Sequence, residues 1–551
     1  MNVETPIELN AENKQISSTP WWKGAVIYQI YPRSFYDSNG DGVGDLRGCI
    51  EKLDYIASLG VEAIWLSPFF QSPQADYGYD ISDYKAIDPS FGTLQDFDDL
   101  ITEAHKRDIK IIIDQVYAHT SDQHAWFEES RQSKNNPKAD WYVWADPKID
   151  GMPPNNWQSV FGGPAWEWDA RRQQYYMHNF LKEQPQLNVH NIEVQEAILE
   201  TMRFWIKRGV DGFRMDAINF AMHNRALTDN PPALLDMSRV TRPFDMQKRI
   251  HNQSQPETPL FMERIRQELD KFGDIFTVAE IGGDEAPSEM RSYTADNKRL
   301  NSAYSFDFLD GPPVSADKVR GTLEKWTGEG GEGWPSWAFE NHDARRALSR
   351  WSAPENRWDA ARCYMMLLLS LRGNAFIYQG EELGLPHGEV AFEHLKDPEA
   401  IANWPRTLGR DGARLPMPWV KDGLNAGFST GTPWMPVDPK QAEFAVDTQT
   451  DDAPCMLRFT KFALSVRKKN KALRLGNMNF LDTGNPSVLA FTRSYEDEQY
   501  LCVFNFSDKH SKWKHAVGSG HIVQFSDDSL SDGHEVPADL PAYGAYWAKR
   551  V

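Results

Sequence analysis

Eight short runs rich in β-branched and aromatic residues, separated by helical stretches and ending in polar residues, predict an α/β fold, a (β/α)8 TIM barrel with parallel strands. Two breaks in that rhythm complete the prediction. A stretch of roughly 70 residues rich in Trp, Pro and Asn follows the third run, too long for a bare connection, so an inserted subdomain is expected after strand 3. After about residue 470 the pattern changes to short alternating segments, which predict a C-terminal antiparallel β-domain.

The runs are, in order, "AVIYQIYPRSF", "VEAIWLSPFF", "IKIIIDQVYAHT", "VDGFRMDAINF", "DIFTVAEI", "AYSFDFL", "SWAFENHD" and "AFIYQGEELG". Between the third and fourth, Val194, Ile198, Met202, Trp205 and Ile206 follow helical spacing, and Gly209 after Lys207 and Arg208 marks a stop. The segment "NNPKADWYVWADPKIDGMPPNNWQSVFGGPAWEWD" carries the insertion, and "SVLAFTRSY" and "QYLCVFNFSD" represent the terminal β-domain. The expected division is barrel over 1–118 and 190–470, insertion over 119–189, and β-domain over 471–551.

Composition removes whole classes of function. The 551 residues carry a formal charge of -20 and no basic run, so nucleic acid and anionic membrane surfaces are not expected partners. Cys49, Cys363, Cys455 and Cys502 lack CxxC spacing, which fits reduced thiols in the cytoplasm and no zinc site. The N-terminus "MNVETPIELNAENKQ" has no apolar core for targeting. The apolar run "CYMMLLLSL" is far short of the roughly 20 residues of a membrane helix.

Chemistry in such a barrel gathers at the C-terminal ends of the strands. Asp216 ends "GFRMD" and Glu280 ends "TVAE"; on neighbouring strands ~4.8 Å apart, two such carboxyls come within the ~5–5.5 Å of a retaining glycosidase. Arg214, two residues before Asp216, favours the ionised carboxylate of a nucleophile, whereas Glu280 has no basic residue beside it in sequence and is expected to stay protonated. A buried Arg214–Asp216 pair and a helix-capping Glu280 fit the same two residues equally well. Asp343 with His342 in "FENHD", Asp80 in "DYGYDISDY" and His119 in "DQVYAHT" tip the balance, because with Asp216 and Glu280 they bring polar groups to five corresponding strand ends.

With those residues in place, the sequence resembles the α-amylase family of glycoside hydrolases, family 13. "DQVYAH" (114–119), "GFRMD" (212–216), "VAE" (278–280) and "FENHD" (339–343) are similar to its four ordered signature regions. "QPQLN", ending at Asn188, "GVGDLRG", "YQGEELG" and "GRDGARLPMPW" are similar to its oligo-1,6-glucosidase and α-glucosidase branch. The resemblance implies Asp216 as nucleophile, Glu280 as general acid/base and Asp343 as transition-state stabiliser. It implies that Arg214, His119 and His342 bind the first glucosyl unit. Asp80 and Arg410 would hold the terminal hydroxyl in a closed, exo-acting pocket, with Arg414 the competing arginine.

The residue after the nucleophile, Ala217, is of the small type found in α-1,4-specific relatives, so short α-1,4-glucosides such as maltose are the expected substrates. Ala118 stands where the first region usually carries Asn, so the calcium of classical α-amylases is not expected there. A close group of bacterial α-glucosidases with glucosyl-transfer activity shares that trait, which makes a sugar or alcohol acceptor an expected partner. Phe161 and Phe180 are candidate pocket walls or core aromatics. An oligo-1,6-glucosidase, a sucrose isomerase, a trehalose synthase-type enzyme and a non-catalytic barrel scaffold are the alternatives. No catalytic cofactor is expected, and the chain is expected to be a monomer or homodimer. "DSNGDGVGD" spaces Asp37, Asn39, Asp41, the Val43 carbonyl and Asp45 like the oxygens of a calcium hand, without the bidentate acid at position 12. A structural Ca2+ or Mg2+ in the first βα-loop is therefore expected.

Overall fold

In the computed structural model, which describes residues 19–234, 240–283, 285–326, 333–353, 357–407, 409–449, 455–514, 520–526 and 533–551, the eight runs close into a parallel barrel. The strands are β1 (Val26–Ile30), β2 (Ala63–Leu66), β3 (Lys110–Val116), β4 (Gly212–Asp216), β5 (Phe276–Ile281), β6 (Ser302–Ser305), β7 (Trp334–Ala338) and β8 (Asn374–Tyr378). Each pairs with its neighbours in sequence, and β8 closes on β1. The stretch "MNVETPIELNAENKQ", for which no targeting signal is expected, lies outside the described residues.

Parallel strands covered on both faces bury every residue here except Lys110 at the start of β3, which is why these runs read as continuous apolar segments. The alternation within them still sorts two cores. Ile27, Trp65, Ile112, Phe276, Tyr304 and Phe376 fill the barrel interior, while Ile64, Ile113, Phe213, Met215, Ile281 and Ile377 face the helical layer. The helix Ile192–Ile206 starts on the Asn191 side chain and buries Val194, Ile198, Met202 and Trp205; Gly209, at φ 97°, follows its end. Ile206 is only partly buried. "CYMMLLLSL" lies in the buried helix Arg357–Ser370, and among the described residues no helix is long and apolar enough to cross a membrane.

Beyond β3 the chain leaves the barrel to form the helix Ala125–Ser130 and a three-stranded antiparallel sheet of Trp144–Ala145, Gln174–Met177 and Trp166–Asp169. It returns through His119 and Gln186, which pair as an isolated bridge. The C-terminal sheet contains β9 (Asn477–Leu481), β10 (Val488–Tyr495), β11 (Glu498–Asn505), β12 (His521–Ser526) and β13 (Ala545–Arg550), in the order β9-β10-β11-β13-β12, all antiparallel.

Candidate active site

Strand register assembles the first part of the site. Asp114 on β3 lies opposite Arg214 on β4, and Met215 lies opposite Ala279, so Asp216 and Glu280 are the next residues on adjacent strands. The period of two turns Asp114, Arg214, Asp216 and Glu280 toward the barrel axis. The Arg214 guanidinium, wholly buried, donates from Nη1 to Asp216 Oδ1 at 2.6 Å and to both oxygens of Asp114 at 2.8 and 3.0 Å. Its Nη2 lies 2.5 Å from Glu280 Oε1, and its Nε and Nη2 both donate to the Tyr304 hydroxyl. Trp65 lies under it at 4.8 Å.

One cation therefore faces three carboxyl groups, and the cluster cannot ionise fully at neutral pH. Burial, opposed by Arg214, pushes both Asp216 and Glu280 up to about 7. Asp114 is pushed up by burial to about 6 against the same guanidinium. The raised Glu280 agrees with the expectation that it stays protonated, but the expectation that Arg214 singles out Asp216 for ionisation is corrected: Arg214 bridges both acids, because neighbouring strands bring Glu280 beside a residue 66 positions earlier in the chain, and burial raises the two alike.

Asp343 arrives from the loop after β7. Arg414 Nη2 lies 2.7 Å from its Oδ1 and Arg410 Nη1 3.3 Å, with His342 Nε2 3.2 Å from Oδ2. Burial raises this carboxyl, but His342 and the Arg414 and Arg410 guanidiniums around it outweigh burial and hold it well below the usual range. Gln29 Nε2 donates to His342 Nδ1 at 2.8 Å, the Tyr79 hydroxyl meets Nε2 at 2.5 Å, and the Tyr31 ring lies nearly parallel to the imidazole with centroids 5.4 Å apart. Burial lowers His342 to about 3, so the imidazole is neutral.

These groups surround a cavity of about 560 Å³ lined by Asp216, Ala217, Glu280 and Asp343, with Asp76, Tyr79, His119 and Arg410 among its polar walls. Arg410 lines the cavity beside Asp76, reaching it at 3.0 Å and Asp397 at 2.7 Å, with its guanidinium 5.0 Å from the Phe161 ring. Phe161 and Phe180 line the cavity together with Phe220 and Phe244. Ala217, which also lines it, has left-handed backbone (φ 39°, ψ 38°), and its N–H donates to Glu280 Oε2 at 3.2 Å.

Three expected sugar ligands are placed differently. Asp80 does not line the cavity: it is wholly buried and accepts from Ala75 N, Asp76 N and Ser72 Oγ, closing the turn that presents Asp76. Asp76 is the carboxylate facing Arg410, so the Asp80 assignment is corrected to Asp76. Arg214 and His342 lie beneath the cavity wall, holding carboxylates. Arg414, also wholly buried, backs Asp343 and the His342 carbonyl, whereas Arg410 opens onto the cavity. His119 lines the wall with its Nε2 on the Tyr79 carbonyl at 3.0 Å, and burial keeps it neutral at about 4.

Sequence reading passed over Asp114, Asp76, Asp397 and Tyr304. Asp114 had a usable signal, standing two residues before Val116 on the face that presents Arg214 one strand away. Asp397 and Asp76 had none, because their partner Arg410 comes from a loop 13 and 334 residues distant.

In the loop after β1, Asp37 accepts from Asn39 N, Gly40 N, Gly42 N and Ser429 Oγ, and Asp45 caps the following helix at Gly48 N while accepting from Ser38. Asn39 Oδ1 accepts from Asp41 N, and Asp41 Oδ1 from Val43 N. Gly42, at φ 93°, lets the loop pass the Thr432 carbonyl, which a Cβ would meet at 1.8 Å. Among the described residues no group of three or more His, Cys, Asp or Glu side chains is arranged to hold a metal ion.

Residues 29–476 match the profile of the α-amylase catalytic domain, and residues 478–547 match that of the maltogenic amylase C-terminal domain. A probable α-glucosidase of Rhizobium meliloti is 46% identical over 545 residues, covering 96% of this chain and 97% of that relative. An oligo-1,6-glucosidase of Parageobacillus thermoglucosidasius is 40% identical over 548 residues, covering 94% and 95%. Among solved structures, the α-glucosyl transfer enzyme XgtA superimposes with a TM-score of 0.92 at 49% identity over 97% of this chain and 100% of that one. The trehalulose synthase MutB of Pseudomonas mesoacidophila gives 0.87 at 33% identity over 96% and 99%.

Proposed function

The chain belongs to the α-amylase family of glycoside hydrolases, and from that premise we propose a retaining, exo-acting α-glucosidase. It releases α-glucose from the non-reducing end of short α-1,4-glucosides such as maltose and passes part of its glucosyl groups to sugar or alcohol acceptors. The observation that carries this reading is one guanidinium holding Asp216 and Glu280 on adjacent strands at the floor of a cavity that Asp343 also lines.

Asp216 attacks the anomeric carbon while Glu280 gives its proton to the departing glycosidic oxygen, leaving a glucosyl ester on Asp216. Glu280, now a carboxylate, takes the proton of water or of an acceptor hydroxyl as that oxygen displaces Asp216. The depressed Asp343 stays anionic and stabilises the oxocarbenium-like transition states. Asp76 and Arg410 recognise the terminal hydroxyl, and their ion pair on the cavity wall supports attack from the chain end. The Phe161, Phe180, Phe220 and Phe244 walls favour an acceptor with an apolar face over water.

The names of the relatives divide between α-glucosidase and oligo-1,6-glucosidase, and the small Ala217 beside the attacking carboxylate supports α-1,4 linkages here. Maltose is expected to turn over at least tenfold faster than isomaltose; equal rates would overturn the linkage assignment. Concentrated maltose should yield trisaccharide beside glucose, and rearranged sucrose isomers in place of both would favour an isomerase. In Glu280→Gln, a glucosyl group trapped from an activated aryl glucoside is expected on the peptide containing Asp216; labelling elsewhere would overturn the mechanism.

The loop 37–45 remains our proposed seat for a structural Ca2+ or Mg2+, supported by its alternating Asp37, Asn39, Asp41, Val43 and Asp45 oxygens and its closure on Ser429. Its own amides hold Asp37 and Asp45, so an ion there would share those oxygens with the loop backbone.

A further inference from the structure

We propose that Tyr304, on β6, is a positioning residue for Glu280: its hydroxyl fixes the oxygen from which Glu280 gives and takes its proton. This rests on the reading of Glu280 as the acid/base.

The hydrogen-bond directions leave a single solution. Arg214 can only donate, and its Nε and Nη2 reach the Tyr304 oxygen at 3.0 and 2.9 Å. Those two bonds occupy the acceptor side of the phenol, so its one proton goes to Glu280 Oε1, 3.1 Å away. Tyr304 and Glu280 are direct partners across β5 and β6, so the contact is built into strand register and not left to a mobile loop. The Tyr304 ring is wholly buried, packed near Phe376 at 5.6 Å and Trp65 at 6.3 Å. A phenylalanine would fill that space equally well, so packing alone does not require the hydroxyl.

The consequence is an asymmetry between the two oxygens of Glu280. Oε1 receives the phenol proton and lies 2.5 Å from Arg214 Nη2, so it is the poorer place for an acid proton. The transferable proton is carried on Oε2, the oxygen beside the Ala217 N–H at the cavity wall. When Glu280 becomes the carboxylate, the Tyr304 bond strengthens and stabilises it, which sets how readily it takes a proton from water or acceptor. Burial and the neighbouring Glu280 hold the phenol well above its ordinary pKa despite Arg214, so it remains a donor through the working pH range.

The test is Tyr304→Phe, with pH profiles of kcat/KM on a series of aryl α-glucosides. Losing a donor to the charged form of Glu280 should move the alkaline limb up by about one pH unit. It should also lower kcat about tenfold with KM within threefold, most for poor leaving groups that need the proton. A variant with the wild-type profile, or one losing the same factor on every leaving group, overturns the inference. Tyr304→Met, which also lacks the donor, gives the same reading should the Phe variant fold poorly. Wild-type protein inactive on all α-glucosides would instead overturn the assignment of Glu280, which keeps the two failures apart.

Discussion

At the level of single residues, the site is a set of charges whose number does not balance locally. Asp114, Asp216 and Glu280 share one Arg214, while Asp343 has Arg414 at 2.7 Å and a share of Arg410, which also holds Asp76 and Asp397. The two groups shift in opposite directions, and their stability effects have opposite signs. For Glu280, a folded pKa near 7 above an unfolded value near 4.3 means that the folded state takes up protons between those limits, so stability falls as pH rises through that window. Glu280→Gln should therefore melt at a higher temperature than wild type at pH 8, by on the order of 2 kcal/mol, with the gap closing by pH 4. Asp343, depressed, contributes stability above the unfolded value near 3.9 that is lost as pH falls through its lower folded pKa; Asp343→Asn should be destabilised at pH 7. Arg410→Ala strands Asp76 and Asp397 and should lower kcat/KM on p-nitrophenyl α-glucoside on the order of 10²–10³-fold. The acids were legible because a polar residue ending an apolar strand is conspicuous. The choice of Asp76 over Asp80 was not, since both stand in one short turn and only its hydrogen bonds show which carboxylate faces outward.

At the level of elements, the apolar wall of the cavity depends on a chain of buried amides joining the insertion to the loop after β4. Asn230 donates to Asn252 at 2.8 Å, Asn252 to Asn179 at 3.0 Å, Asn179 to Gln186 at 2.8 Å, and Gln186 to the Phe220 carbonyl at 2.8 Å. Asn179 precedes Phe180, so the chain fixes two of the aromatic walls at once. Asn252→Asp keeps the size and the acceptor but loses the donor, leaving Asn179 Oδ1 without a proton. A loss of about 1–3 kcal/mol in urea unfolding is expected, together with a lower ratio of transfer to hydrolysis on maltose. The sequence marks the insertion by its length and by its Trp, Pro and Asn content. It does not mark this chain, because amides spread from 179 to 252 carry no periodic signal.

At the level of the whole molecule, the barrel and the C-terminal β-domain are joined beneath the site by buried arginines that bind backbone carbonyls. Arg467 donates to Leu369, Leu473, Gly24 and Gly373, and Arg493 donates to Ser370 and Gly476. Arg467→Met removes the donor from four carbonyls and should cost about 3 kcal/mol or more in denaturant unfolding, while the folded fraction keeps its kcat. Chelator is expected to lower the melting temperature more than it lowers turnover by folded protein; no change in melting would remove the ion from loop 37–45. By itself the sequence determined the eight strands, their parallel order and the strand ends that carry Asp216 and Glu280. A fully buried parallel strand must be apolar along its length, so any charged residue at its end stands out. Only the tertiary structure decided which charges meet. It put Arg214 among three acids instead of beside one, Asp76 and not Asp80 against Arg410, and the Tyr304 hydroxyl on Glu280. Those pairings depend on strand register and on loops hundreds of residues apart, where a few ångströms settle whether a buried charge is paired, and linear spacing carries no such distance.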